Sequence, residues 1–147
     1  MSDLCLEKTD RQDFDLAFKG GDLVLSDSLQ MSVILSIACW CRDVPYDGAA
    51  ILEPSIGGWW ADAMNEMPIG SRLWTLFRSK LTTPTLKNAE SLIKDALKWM
   101  VDDGVAKDVK VSSGNGGKHT AWFIVEIVKP NGDTEQFKYE TNWEASF

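Results

Sequence analysis

The sequence has one histidine, His119, and three cysteines, Cys5, Cys39 and Cys41, in 147 residues. An odd cysteine count supplies no disulfide framework. Cys39 and Cys41 stand two apart in a helical pattern, where side chains do not face each other, so they read as small apolar residues in a reducing compartment. A single histidine in a polar, glycine-rich stretch disfavours a metal centre. It also leaves Ser–His or Cys–His catalysis resting on one solvated loop residue. Basic residues are few, 15 Lys and Arg against 22 Asp and Glu, for a net charge of −7. No basic stripe is present, which argues against a nucleic-acid partner, whereas an acidic balance suits solubility or docking onto a basic surface. No run approaches the ~20 apolar residues of a membrane span. The opening MSDLCLEKTDRQD is acidic and lacks the apolar core of a signal peptide. The chain is therefore expected to need no cofactor and no metal, and to have no nucleic acid, membrane or small-molecule substrate as a partner.

What is present reads as one α+β domain over 1–147: three main helices packed on a small C-terminal β-sheet of about three strands, with an N-terminal β-hairpin. Over 14–25, Phe14, Leu16 and Phe18 alternate with polar residues, Gly20-Gly21 can supply the positive φ angles of a tight turn, and Leu23 and Leu25 resume the alternation. Ser26 or Asp27 is placed to cap a helix through about Cys41, with Leu29, Val33, Ile37 and Trp40 as its stripe. Ser32 and Ser36 leave its other side uncharged, as if covered too. Residues 43–70 carry Pro45, Pro54, Pro68 and several glycines, which is loop chemistry. Trp59, Trp60, Met64 and Met67 make that loop an ordered one. A second helix is expected over Ser71–Leu81, from Leu73, Trp74, Phe77 and Leu81. A third is expected over 84–102, with Leu86, Ala89, Ile93, Leu97 and Met100 inward and Glu90 paired with Lys94 in water. Gly104 stops it. Strands are expected at 105–111, 121–128 and 135–141 within a sheet region 105–141, with SSGNGGK as a flexible turn. Strand 121–128 is apolar on both faces, so Trp122, Ile124 and Val128 call for a cover. Strand 135–141, with Phe137 and Tyr139 inward, is a candidate sheet edge.

Three of the seven tryptophans fall in GGWWADAMNEMPIGSRLW, among carboxylates and an arginine. One reading is a glycosidase-like cleft using Glu53, Asp62 or Glu66, since paired carboxylates beside aromatic rings can hydrolyse sugars. No motif sets their separation, however. GNGG at 114–117 joins two strands with no helix behind it to hold a phosphate, and reads as a turn. The other reading is a docking surface, because Trp and Arg are the usual anchors of protein interfaces. Adjacent tryptophans in an extended loop face opposite sides, so one of Trp59 and Trp60 folds the loop back and the other meets a partner. Arg72 and Arg78, six apart, project from different sides of their helix. Either could stack on a tryptophan or pair with Asp62.

DLVLSDSL before an apolar helix, GGWWAD, IGSRLWTLFRSKLT, TLKNAESLIKDALKWMVDDGVAKDVKV and Trp143 together resemble the Mu-like phage baseplate wedge family, over roughly residues 20–145. More faintly, the chain is similar to the T-even phage baseplate wedge subunit that starts the tail sheath, and to its type VI secretion counterpart. Relatives commonly carry arginine before Gly-Trp-Trp, where this chain has Ile56-Gly57-Gly58. The distant ones have Glu-Pro-Arg after the long helix, where this chain has Val101-Asp102-Asp103-Gly104. The resemblance implies a structural subunit of the virion tail baseplate, synthesised in the host cytoplasm, with other baseplate wedge proteins and the tail sheath protein as partners. It implies no catalyst. Trp59, Trp60, Asp62, Arg72, Trp74, Arg78, Trp122, Ile124, Tyr139 and Trp143 are then the candidate interface or loop-anchoring residues. The 135–147 region is expected to pair with the sheath or with a neighbouring wedge protein. A muramidase-like wall hydrolase and an adaptor unrelated to phage are the alternatives.

Overall fold

The structure, a computed structural model, describes residues 2–9, 14–42, 58–64 and 68–143. Its centre is a helix, α2, over Thr83–Asp102, laid on a three-stranded antiparallel meander. The meander strands are β7 (Asp108–Gly117), β8 (Thr120–Val128) and β9 (Thr134–Asn142), with β8 in the middle. Leu86, Ala89, Ile93, Leu97 and Met100 recur at helical spacing and are all buried, against Val111, Ala121, Phe123, Val125 and Ile127 of the sheet. Each fully buried Ile or Leu contributes roughly 1.5–3 kcal/mol. The Thr82 hydroxyl caps α2 by accepting from the Thr85 amide, Pro84 sits in the first turn, and Gly104 (φ 73°) follows the end.

The described residues hold two α-helices, not three. A shorter helix, α1, spans Gln30–Ala38 and meets α2 where the Trp99 indole donates to the Ser36 hydroxyl, 3.0 Å away. Ser36 in turn donates to the Ser32 carbonyl, so the uncharged side of α1 is covered as its serines suggested. Neither Ser26 nor Asp27 caps α1. Its N-terminus is held from β9, where Glu135 accepts from the Ser28 hydroxyl (2.9 Å) and the Leu29 amide (3.1 Å). α1 stops at Ala38 because the next residues are extended and tied to a second segment: Ser71 N–H donates to the Cys39 carbonyl and Cys41 N–H to the Ser71 carbonyl. That tie also removes the helix expected over 71–81. With Ser71 extended, only a 3-10 turn forms, Leu73–Leu76, followed by further i→i+3 bonds from Phe77 and Ser79. Tertiary pairing overrides a helical apolar spacing here.

The sheet content is larger than expected, with three two-stranded pairs beside the meander. They are built from β1 (Asp3–Leu4), β2 (Leu6–Lys8), β3 (Phe14–Leu16), β4 (Phe18–Lys19), β5 (Asp22–Leu23) and β6 (Leu25–Ser26). Gly20 (φ 65°) and Gly21 (φ 86°) make the turn between β4 and β5. The strand over 3–8 lies in a stretch that reads as polar, and it pairs with β6 on one side of Cys5 and with β3 on the other. In the meander, Ser112–Gly117 are strand, not a flexible turn, and pair across to β8. The glycines there answer a packing demand: a Cβ on Gly114 would fall inside the Trp122 indole ring. The actual turn is Lys118-His119, with His119 at φ 65°.

Candidate docking surface

A groove lies beside β9. Among the described residues, the sheet's order leaves β9 paired on one side only. Next to that edge lies a cavity of about 560 Å³, walled by Ile34, Ile37 and Ala38 of α1, by Trp40 and Trp74, and by Phe137 and Tyr139 of β9. At its mouth the Trp40 and Trp74 rings stack, with centroids 5.8 Å apart and planes 22° apart. The Trp74 indole donates to the Cys41 carbonyl at 2.9 Å, which sets that ring's orientation. Among the described residues, Tyr139 is the buried polar side chain with an unanswered need. Its hydroxyl is buried and has no hydrogen-bond partner among the described residues, and burial pushes its pKa upward. An unpaired buried hydroxyl costs roughly 1–3 kcal/mol.

The tryptophan loop adjoins this groove. Gly58 N–H donates to the Trp40 carbonyl, and Gly58 sits at φ 94° with the Arg42 side chain where a Cβ would point. Asp62 anchors the loop: one carboxylate oxygen accepts from the Trp59 amide (2.8 Å) and the other from the Ile69 amide (3.2 Å). A carboxylate committed to two backbone donors is a structural clamp, not a free acid. Glu53 and Glu66 lie outside the described residues. The clamp leaves Trp59, Met64 and Ile69 exposed. Trp60 begins the 3-10 turn Trp60–Met64, and its side chain lies outside what is described. Arg72 and Arg78 are both exposed, flanking the Leu73–Leu76 turn.

Trp143 packs on its own chain. It is 2% exposed, stands edge-on to Phe77, and donates from its indole to the Ser79 carbonyl at 2.8 Å. It fastens the end of β9 to the 3-10 segment. Residues 144–147 lie outside the described residues. Trp122 and Ile124 are half-buried on the sheet face away from the helices. Trp122 lies on Gly114 and Gly116, so part of the cover it needed comes from its own sheet. Glu90, expected in water beside Lys94, is buried instead. Burial alone would raise its pKa, but Ser113 (2.7 Å) and Lys87 (3.0 Å) outweigh it and hold the carboxyl below its usual value. Cys41 and Ala38 read in the sequence as apolar residues of a helix and Gly58 as loop chemistry, and nothing there marked them as residues that position or wall this surface.

An apolar groove, a strand edge with no neighbour among the described residues and a pinned aromatic loop lie side by side. Residues 29–134 match the family described as phage protein GP46. The chain belongs to this family of Mu-like phage baseplate proteins. It is 36% identical over 144 residues to the Mu-like prophage FluMu protein gp46 of Haemophilus influenzae, covering 97% of this chain and 98% of the relative. It is 29% identical over 140 residues to the baseplate protein gp46 of Escherichia phage Mu, covering 95% and 96%. Members of the family are structural parts of the phage baseplate, and no described helix of this chain is long and apolar enough to cross a membrane.

Proposed function

We propose that this protein works in the virion tail baseplate by assembly: it holds neighbouring wedge proteins through the tryptophan loop and offers β9 as the place where the tail sheath begins. Family membership supports the structural role over a wall hydrolase, and so does the engagement of Asp62 with backbone amides. The observation that carries the sheath part is the one-sided pairing of β9 beside an apolar groove. An unpaired strand edge is a template for strand addition, and pockets for alternate side chains give such additions their specificity. A sheath strand laid along β9 would send every second side chain into the groove, where a polar group could satisfy the Tyr139 hydroxyl. Exposed Trp59, Met64 and Ile69, held in place by Asp62, supply the wedge contact, with Arg72 and Arg78 beside them. Trp122 and Ile124 stay outside this contact.

The test is Ala38→Arg. Ala38 is exposed at the end of α1 and walls the groove. An arginine there fills the groove yet suits a helix C-terminus electrostatically. The expected outcome is a chain that melts within about 2 °C of the parent, in keeping with a surface substitution worth under ~0.5 kcal/mol, and tails whose baseplates lack sheath. Sheathed tails at parental yield would refute the sheath role.

A further inference from the structure

The N-terminal strands meet at a three-way node with its own outward face. Cys5 N–H donates to the Val24 carbonyl, Val24 N–H to the Ala17 carbonyl, and Ala17 N–H to the Cys5 carbonyl, each at 2.9 Å, closing a ring of three hydrogen bonds. From this ring the pairs β1–β6, β2–β3 and β4–β5 run out in three directions. The residues on either side of each node residue are all large and apolar. They face one another across the strands as Leu4 with Leu25, Leu6 with Leu16, and Phe18 with Leu23. Partners directly opposite in an antiparallel pair share a face, as do alternate residues along a strand. Six apolar side chains therefore stand on one face around the node, while Cys5, Ala17 and Val24 take the other. The Cys5 thiol lies 3.9 Å from Gln30 of α1, so the node face is the one turned to the body. The face is open at Phe18 (64% exposed), Leu25 (61%) and Leu23 (39%), while Leu4, Leu6 and Leu16 are half-buried beneath them. Large apolar side chains grouped on the outside of a small domain mark a contact site.

The surrounding charge says what covers it. Residues 2–28 hold seven carboxylates against three basic side chains. Asp3, Glu7, Asp15 and Asp22 are exposed around the node. A second copy of this chain would bring two acidic rims together, which repel. We infer that the N-terminal node docks a different protein of the particle, through an apolar patch rimmed by Lys and Arg. Phe14 of β3 and Gln30 also line the groove at β9, on the side of the node turned to the body, but the contact through Phe18 and Leu25 does not depend on the sheath reading.

The experiment places a photoreactive benzoylphenylalanine at position 18 or 25 and irradiates tail particles assembled from the genome that encodes this chain. The expected result is one adduct to another tail protein at both positions, with the cross-linked peptide flanked by lysine or arginine. A parallel variant, Phe18→Asp with Leu25→Asp, should fold with an unchanged melting midpoint, because both side chains are already exposed. It should then be lost from purified particles. An adduct to a second copy, an adduct to an acidic or uncharged peptide, or no adduct in complete particles would overturn the proposal. So would full incorporation of the double variant. The Ala38→Arg particles separate the two contacts: they keep this adduct even if their sheath is missing.

Discussion

Among the described residues, Glu135 and Glu90 are carboxylates held below their usual pKa by their partners. Burial pushes Glu135 up, but the Lys129 ammonium, the Ser28 hydroxyl and the Leu29 amide outweigh it and leave it below its usual value near 4.5. Lys129 is correspondingly raised, chiefly by its hydrogen bond to Glu135. Glu90 is lowered likewise, by Ser113 and Lys87 against its burial. A carboxylate with a lowered folded pKa contributes stability that is fully present above the unfolded value, and loses it as pH falls through the folded one. The melting midpoint should therefore hold above about pH 5 and drop below about pH 4.5. Glu135→Gln should cost about 1–2 kcal/mol at pH 7, the worth of a charge-assisted bond. It should also flatten the acid limb, as a thermal melt series from pH 7 to 3 would show. An acid limb as steep as the parent's would mean that Glu135 does not hold α1 to β9.

At the scale of elements, the segments that matter most are the ones whose partners are far away in sequence. Gly70 sits at φ 104°, and a Cβ there would collide with the Cys39 carbonyl. Gly70→Ala should thus break the Cys39–Ser71–Cys41 tie and cost about 2 kcal/mol or more. A urea titration of the purified chain measures this; a change under ~0.5 kcal/mol would show that the tie is dispensable. The same tie explains what the sequence could and could not tell. α2 and the meander were legible because Leu86, Ala89, Ile93, Leu97 and Met100, and the alternation along β8, are local patterns. The lost helix over 71–81 was not, since Leu73, Trp74 and Phe77 keep helical spacing while Ser71 answers to Cys39. The strand over 3–8 was hidden because its node partners, Ala17 and Val24, lie many residues away. The glycines at 114–117 signalled a turn when their work is to seat Trp122. At the candidate site, the tryptophan loop and the β9 edge could be read from composition and order. Trp143's burial and the Trp40–Trp74 stack could not, because both depend on the path taken by the chain between α1 and α2.

For the whole molecule, the described surfaces divide into an apolar groove with an open strand, an aromatic loop clamped by Asp62, and an acidic-rimmed apolar node at the N-terminus. The loop adjoins the groove and the node's open face points away from the body, which is how one small protein of a baseplate family could hold more than one neighbour at once. The loop is testable separately. Trp59→Ala with Met64→Ala removes exposed side chains, so the chain should stay folded while its incorporation into baseplates falls about tenfold, the loss of a modest interface anchor. Incorporation at the parental level would take the loop out of the wedge contact. The central claim is that β9 receives a strand from the sheath, and a reconstruction of the intact tail at side-chain resolution tests it most directly. The account predicts this chain in the baseplate with a fourth strand of sheath protein alongside Thr134–Asn142 and a side chain reaching the Tyr139 hydroxyl. A β9 edge bare of any neighbour, or a sheath that starts on another protein, would contradict it.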